Sequence, residues 1–126
     1  VNLRRRHTQE RGDLLKFGGR ALANRLLPVL DNLDRALEAI PEGSDDSIVQ
    51  GISLTRQSFW AALEAEGITV IEAAGKKFDP NLHEAITTLP ASEENPAGVV
   101  IDVLENGYML HDRVLRPARV VVTSSD

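Results

Sequence analysis

Apolar positions along the chain change their period once, near Gly67. Upstream, Leu22, Leu26, Leu30, Leu33, Leu37 and Ile40 recur at spacings of 4, 4, 3, 4 and 3, the seam of a helical bundle or coiled coil. Leu27 and Val29 widen that stripe, and Pro28 inside it removes one backbone hydrogen bond and should kink the helix. Pro41-Glu42-Gly43-Ser44 ends the segment, because a proline disfavours helix at the residue before it. A second helix is predicted from Asp46 or Ser47, with Ser47 and Gln50 as a possible capping box and Gly67 as its C′ residue. Ile48, Ile52, Phe59 and Leu63 share one face of it, with Val49 and Trp60 alongside. Helices over 21–40 and 47–66 make an antiparallel hairpin, which cannot bury two apolar stripes alone. A dimeric four-helix bundle can. Its interface is expected from Leu22, Leu26, Leu30, Leu33, Leu37, Ile52 and Phe59.

Residues 1–20 predict a polar helix whose large apolar groups are only Val1, Leu3, Leu14, Leu15 and Phe17. Such a helix is marginal in isolation and needs a partner, here expected to be a second copy in a coiled coil. Gly18-Gly19 should break it or change its packing, since glycine costs about 1 kcal/mol against alanine within a helix. Replacing both glycines with alanine is expected to raise the melting of this segment, the least stable part, which should unpair on warming before the β domain melts.

Downstream of Gly67 the pattern is that of short strands. Ile68-Thr69-Val70-Ile71, Ala85-Ile86-Thr87-Thr88-Leu89 and Val99-Val100-Ile101-Asp102-Val103-Leu104 are strand candidates, with turn-rich Ala74-Gly75-Lys76-Lys77 between the first two. Asn106-Gly107 is the strongest short hairpin signal and predicts a type I′ turn, with Tyr108-Met109-Leu110 returning from it. Residues 114–122 supply the last strand material, with Pro117 marking an edge or bulge. The fold class is therefore α+β: an end of a long paired helix (1–20), a helical hairpin of a dimeric bundle (21–67) and a small all-β domain (68–126).

Composition adjusts this picture in three ways. Aromatic residues are 4% of the 126, so the core must rest on Leu, Ile, Val and Ala. There is no cysteine, which excludes disulfides and thiolate metal sites. No apolar run approaches the roughly 20 residues that span a bilayer, and the start at Val1 rather than Met reads as a fragment. The net charge of −5 divides unevenly: six basic against two acidic groups give residues 1–20 a net +4, leaving −9 on the other 106. A basic end on an acidic body suits a solvated helix face, an acidic protein partner or nucleic acid.

Candidate chemistry is sparse. Asp79, His83 and Glu84, within Asp79-Pro80-Asn81-Leu82-His83-Glu84, could in principle ligate a metal, but His7 and His111 have no matching spacing. A turn with His83 hydrogen-bonded locally is the better reading, and no metal or cofactor is expected. Phosphate-cradling glycine motifs and nucleophile elbows are absent, so the chain does not read as an enzyme. Arg4-Arg5-Arg6 and Arg11 could meet phosphates, but no aromatic platform accompanies them and the body is acidic, so nucleic acid is not the expected partner. Arg113, Arg116 and Arg119, with Phe78, Met109 and Val122, suit either a protein-binding face or solubilising edge charges. A non-enzymatic dimeric adaptor is one reading consistent with these features.

A more specific reading comes from ordered blocks. Phe78-Asp79-Pro80-Asn81-Leu82-His83-Glu84-Ala85-Ile86, then Gly107-Tyr108, then Asp112 to Val122 (DRVLRPARVVV) closely resemble the C-terminal signature of the GrpE family. Asn2-Leu3-Arg4-Arg5-Arg6 resembles that family's long-helix motif, Leu26 to Leu37 its first bundle helix, and Gly51-Ile52 with Leu54-Thr55 its second. The resemblance implies a homodimeric nucleotide exchange factor that binds the ATPase domain of a DnaK-type chaperone, in the bacterial cytoplasm or an organelle matrix. It implies no nucleotide binding by the chain itself, no membrane partner and no cofactor. By resemblance, the β domain should touch the chaperone through Phe78, Leu104, Arg113, Pro117 and Val122, and the helices through Arg4, Arg5 and Glu38. Asp13 stands where relatives often carry a lysine on the long helix, with Lys16 one turn on. The family's acidic tail and upper coiled coil are not within this sequence.

Overall fold

The computed structural model describes residues 2–124. Val1, Ser125 and Asp126, assigned above to the first helix and the β domain, lie outside the described residues. The chain forms two compact units, one running to Ile68 and one from Thr69 onward.

The first unit is helical, with α1 over Asn2–Phe17, α2 over Arg20–Glu38 and α3 over Asp46–Ala65. α1 buries none of its residues; Leu3, Leu14 and Leu15 are 64%, 72% and 81% exposed. The break between α1 and α2 falls on Gly18-Gly19 as the composition predicts. The hydrogen-bond ladder nevertheless crosses it, with Gly18 N–H donating to Leu14 O (2.9 Å) and Ala23 N–H to Gly19 O (2.8 Å). A Cβ on Gly18 would collide with the Leu14 carbonyl oxygen, so the bend is closed by a residue that has none. α2 continues through Pro28 and ends at Glu38, two residues before the predicted end, because Pro41 keeps Ile40 out of helix.

α3 is capped by Asp45 rather than by Ser47 and Gln50. The Asp45 carboxylate accepts from the Ser47 N–H (2.9 Å) and the Ser47 hydroxyl (2.7 Å). Gly67, at φ 93, closes the far end, its N–H donating to Glu64 O. The ion pair from Arg56 Nε to Asp34 Oδ1, at 2.8 Å, helps register the hairpin, with both side chains about one-third exposed. At 100° per residue, Asp34 shares its stripe of α2 with Ala23, Leu27 and Leu30, which are the buried residues of that helix.

The strands belong to the second unit, apart from the first residue of β1: β1 (Ile68–Val70), β2 (His83–Leu89), β3 (Val100–Glu105), β4 (Tyr108–Leu110), β5 (Arg113–Arg116) and β6 (Ala118–Thr123). They form two three-stranded sheets, ordered β1-β4-β5 and β2-β6-β3. β6 is central in the second sheet, parallel to β2 and antiparallel to β3. Ala118, Val120 and Val122 of β6 point inward with Ala73 and Val100, and Phe78 and Val103 pack against them.

One prediction fails here. Asn106-Gly107 is not a hairpin turn, because β3 pairs with β6 and β4 pairs with β5. The dipeptide is a corner at which the chain leaves one sheet for the other. Gly107 is absent from the positive-φ glycines and is needed for a different reason: a Cβ there would lie 2.7 Å from the Pro117 carbonyl carbon and 2.8 Å from the Ala118 Cα. The true two-residue hairpin joins β4 to β5 through His111-Asp112, with His111 at φ 53. Histidine is among the few non-glycine residues enriched there. Pro117 marks another crossing between sheets, separating β5 from β6.

Candidate functional site

The polar run Asp79 to Glu84 is a turn. Asp79 O accepts from the Leu82 and His83 N–H groups (3.0 and 2.8 Å), and its carboxylate accepts from Asn81 N–H (2.9 Å). Buried His83 accepts the Asp79 N–H at Nδ1 (3.0 Å), and its ring lies 5.9 Å from Phe78. His83 is thus committed to local structure. Among the described residues no three His, Asp or Glu side chains converge as metal ligands would.

The expected partner-binding residues of the β unit do not behave alike. Leu104 is 55% exposed, pushed out at a register shift between Val103 and Glu105. Arg113 opens β5 and is exposed; Pro117 is half-buried at the crossing into β6. Because Gly107 is pressed onto Pro117 and Ala118, Leu104 and Pro117 sit on adjoining segments. Phe78 is half-buried and hydrogen-bonded through its N–H to Gly98 O, at the start of β3. That lies on the order of 15–20 Å along the strand from Leu104. Val122 requires a correction: it is 6% exposed and part of the core, because β6 alternates and sends Arg119 and Val121 the other way. It can support the surface but not line it.

Arg116, expected with Arg113 and Arg119 on a protein-binding face or as an edge charge, differs as well. Its Nε donates to Asn106 O (2.9 Å), its Nη1 lies 3.5 Å from Glu105 Oε1, and its guanidinium sits 5.3 Å from the Tyr108 ring centroid. Tyr108 is its partner in the β4–β5 register, but nothing in the sequence pattern shows that β5 and the end of β3 meet.

In the helical unit, Arg4 and Arg5 are exposed on α1, and Glu38 is the exposed last residue of α2. The expected dimer residues divide into two groups. Leu30 is fully buried within one protomer, on the Asp34 stripe facing α3, and so is not an open dimer contact. Leu22, Leu26, Leu33 and Leu37, with 44%-exposed Val29, form a second stripe roughly a quarter-turn around α2, and none of the five is buried. Ile52 and Phe59 of α3 are half-buried, and Phe59 joins Leu54 and Ala62 in a shallow apolar cleft. The titration of Asp45 is displaced. The Ser47 hydroxyl, and after it the Ser47 N–H, hold its carboxyl below the usual carboxylate range.

The sequence model of the GrpE family matches residues 1–124. The chain belongs to the GrpE family. Similar curated relatives are "Protein GrpE" of Pediococcus pentosaceus, 44% identical over 122 residues (97% of this chain and 63% of the relative), and of Lactiplantibacillus plantarum, 48% identical over 126 residues (97% and 62%). "Protein GrpE" of Enterococcus faecalis is 44% identical over 123 residues, 97% of this chain and 69% of the relative. The chain therefore spans about three-fifths to two-thirds of the length of these relatives. In this GrpE-family fold, the signature blocks fall on the Asp79 turn, the β3–β4 corner and the β5–β6 crossing. These segments meet one another: Gly107 presses on Pro117 and Ala118, and the Ala118 N–H donates to Leu82 O (3.0 Å).

Proposed function

We propose that the chain is part of a homodimeric nucleotide exchange factor, a co-chaperone of a DnaK-type chaperone in the bacterial cytoplasm. Membership of the GrpE family carries the reading. The unburied leucine stripe of α2 and the apolar cleft of α3 support a bundle built from two copies, with residues 1–20 as the paired helix and 21–67 as the hairpin. Leu104, Arg113 and Pro117 form the contact from the β unit, 68–126, with Phe78 at its far end and Val122 beneath. Arg4, Arg5 and Glu38 make the helical contact. The seven dimer residues named above reduce to six, with Leu30 serving the hairpin itself.

The mechanism is linkage, not bond-making. A chain that binds the open ATPase domain more tightly than the ADP-bound closed form weakens ADP by the same factor. A coupling of about 3 kcal/mol corresponds to roughly 150-fold in nucleotide affinity. No general base, metal or cofactor is required of the exchange factor, and it need not touch the nucleotide. The long polar helices, unpairing on warming, would tie exchange to temperature. Calorimetric titration of the ATPase domain tests the linkage. ADP should weaken binding of the chain by the factor with which the chain weakens ADP; equal affinity with and without ADP would exclude the mechanism.

A further inference from the structure

The chain crosses between the two sheets three times, between β1 and β2, at Asn106-Gly107 and at Pro117, and the last two crossings touch through Gly107. Leu104 precedes the Asn106-Gly107 crossing at a point where the β3–β6 ladder is interrupted, so strand pairing does not fix its position. Arg116 and Ala118 flank Pro117, and Arg113 opens β5 at its other end. What ties these two crossings together is Arg116, which belongs to the β1-β4-β5 sheet while its carboxylate partner, Glu105, belongs to β2-β6-β3.

We propose that Arg116 is a positioning residue: it clamps the Leu104–Gly107 segment beside Pro117, so that Leu104 and Pro117 meet a carboxylate-bearing, partly apolar protein surface as one rigid patch, with Arg113 at the other end of β5. This rests on the exchange-factor reading for the identity of that surface. The clamp has three arms: the Asn106 carbonyl at 2.9 Å, the Glu105 carboxylate at 3.5 Å and the Tyr108 ring at 5.3 Å. A planar guanidinium can serve a carbonyl, a carboxylate and a ring face together, whereas a lysine ammonium is a point charge that satisfies one or two. The Arg116 and Glu105 side chains are only 18% and 30% exposed, so water screens their interaction less than it would a surface pair. Presenting a preassembled patch avoids ordering the Leu104 segment at the moment of binding.

The test uses the whole chain and compares Arg116→Ala, Arg116→Lys, Leu104→Ala and the Arg116→Ala/Leu104→Ala double variant. Circular dichroism first establishes that each is folded. Amide hydrogen exchange at residues 104–108 should accelerate about tenfold in Arg116→Ala. In release of a fluorescent ADP analogue from the chaperone, its half-saturating concentration should rise about tenfold at unchanged maximal rate. Arg116→Lys should recover only part of either effect, and adding Leu104→Ala to Arg116→Ala should cost little more. Native exchange rates in Arg116→Ala, full rescue by lysine, or additive effects of the two alanines would each overturn the proposal. A wild-type chain inert towards the chaperone would instead overturn the exchange reading and the partner named here, while the hydrogen-exchange comparison still decides the clamp.

Discussion

Replacing Gly107 with alanine isolates the reason that glycine is needed. Carbon–carbon contacts are comfortable at about 3.5–4.0 Å, whereas the new Cβ would sit 2.7 Å from the Pro117 carbonyl carbon and 2.8 Å from the Ala118 Cα. The obstructing atoms are backbone, so no side-chain rotation relieves the overlap, and either β6 or the β3–β4 corner must move. Overpacking of this kind costs roughly 1–3 kcal/mol, against which the stiffer unfolded chain returns about 0.4–1 kcal/mol. A net loss of roughly 1–2 kcal/mol is expected, on the order of 10 °C in the melting of a unit this small. Urea unfolding followed by the NMR signals of β6 amides measures it without interference from the helices. Gly98→Ala is the control: it adds strain at φ 77, but its Cβ meets nothing within 4 Å, so it should cost less, about 1 kcal/mol. A Gly107→Ala midpoint within about 0.5 kcal/mol of wild type, or a smaller loss than Gly98→Ala, would refute the close-contact argument.

Three further outcomes follow from the helical unit. Gly19→Ala enters open space and should raise the helical melting transition by circular dichroism, whereas Gly18→Ala collides with the Leu14 carbonyl and should lower it, so the double variant does not reach the sum expected from propensity alone. Leu30→Ala should destabilise the protomer by about 2–5 kcal/mol, while Leu33→Ala should act mainly on dimer dissociation measured by sedimentation; the reverse pattern would contradict the two-stripe assignment. Because Asp45 has its pKa lowered by folding, the stability it contributes is complete above the unfolded value of about 3.9 and is lost as pH falls through the folded one. Acid melting of the hairpin should therefore become less steep below that pH in Asp45→Ala.

Helix positions, the glycine break and the Asp79 turn were legible because each is decided by local chemistry: a leucine stripe, a missing Cβ, an Asx turn. What was not legible depends on which segments meet. Leu27 and Leu30 belong to the hairpin seam and Leu22, Leu26 and Leu33 to another, a division fixed by the Asp34–Arg56 pair across 22 residues of sequence. Asn106-Gly107 carries the strongest hairpin signature in the chain, yet the inward residues Val100 and Val103 draw β3 to β6, so the dipeptide becomes a corner. The β5–β6 block identifies the family, but only the sheet alternation shows Arg119 outside and Val122 inside. Arg116 became distinct from its neighbours only once β3 and β5 were placed together.

The measurement that bears most directly on function is stopped-flow release of a fluorescent ADP analogue from a DnaK-type chaperone, with this chain and its Arg113→Ala variant. The account predicts release accelerated by orders of magnitude with the chain and most of that gain lost in the variant, with both proteins sedimenting as dimers. An unchanged release rate in the presence of an intact dimer would contradict it.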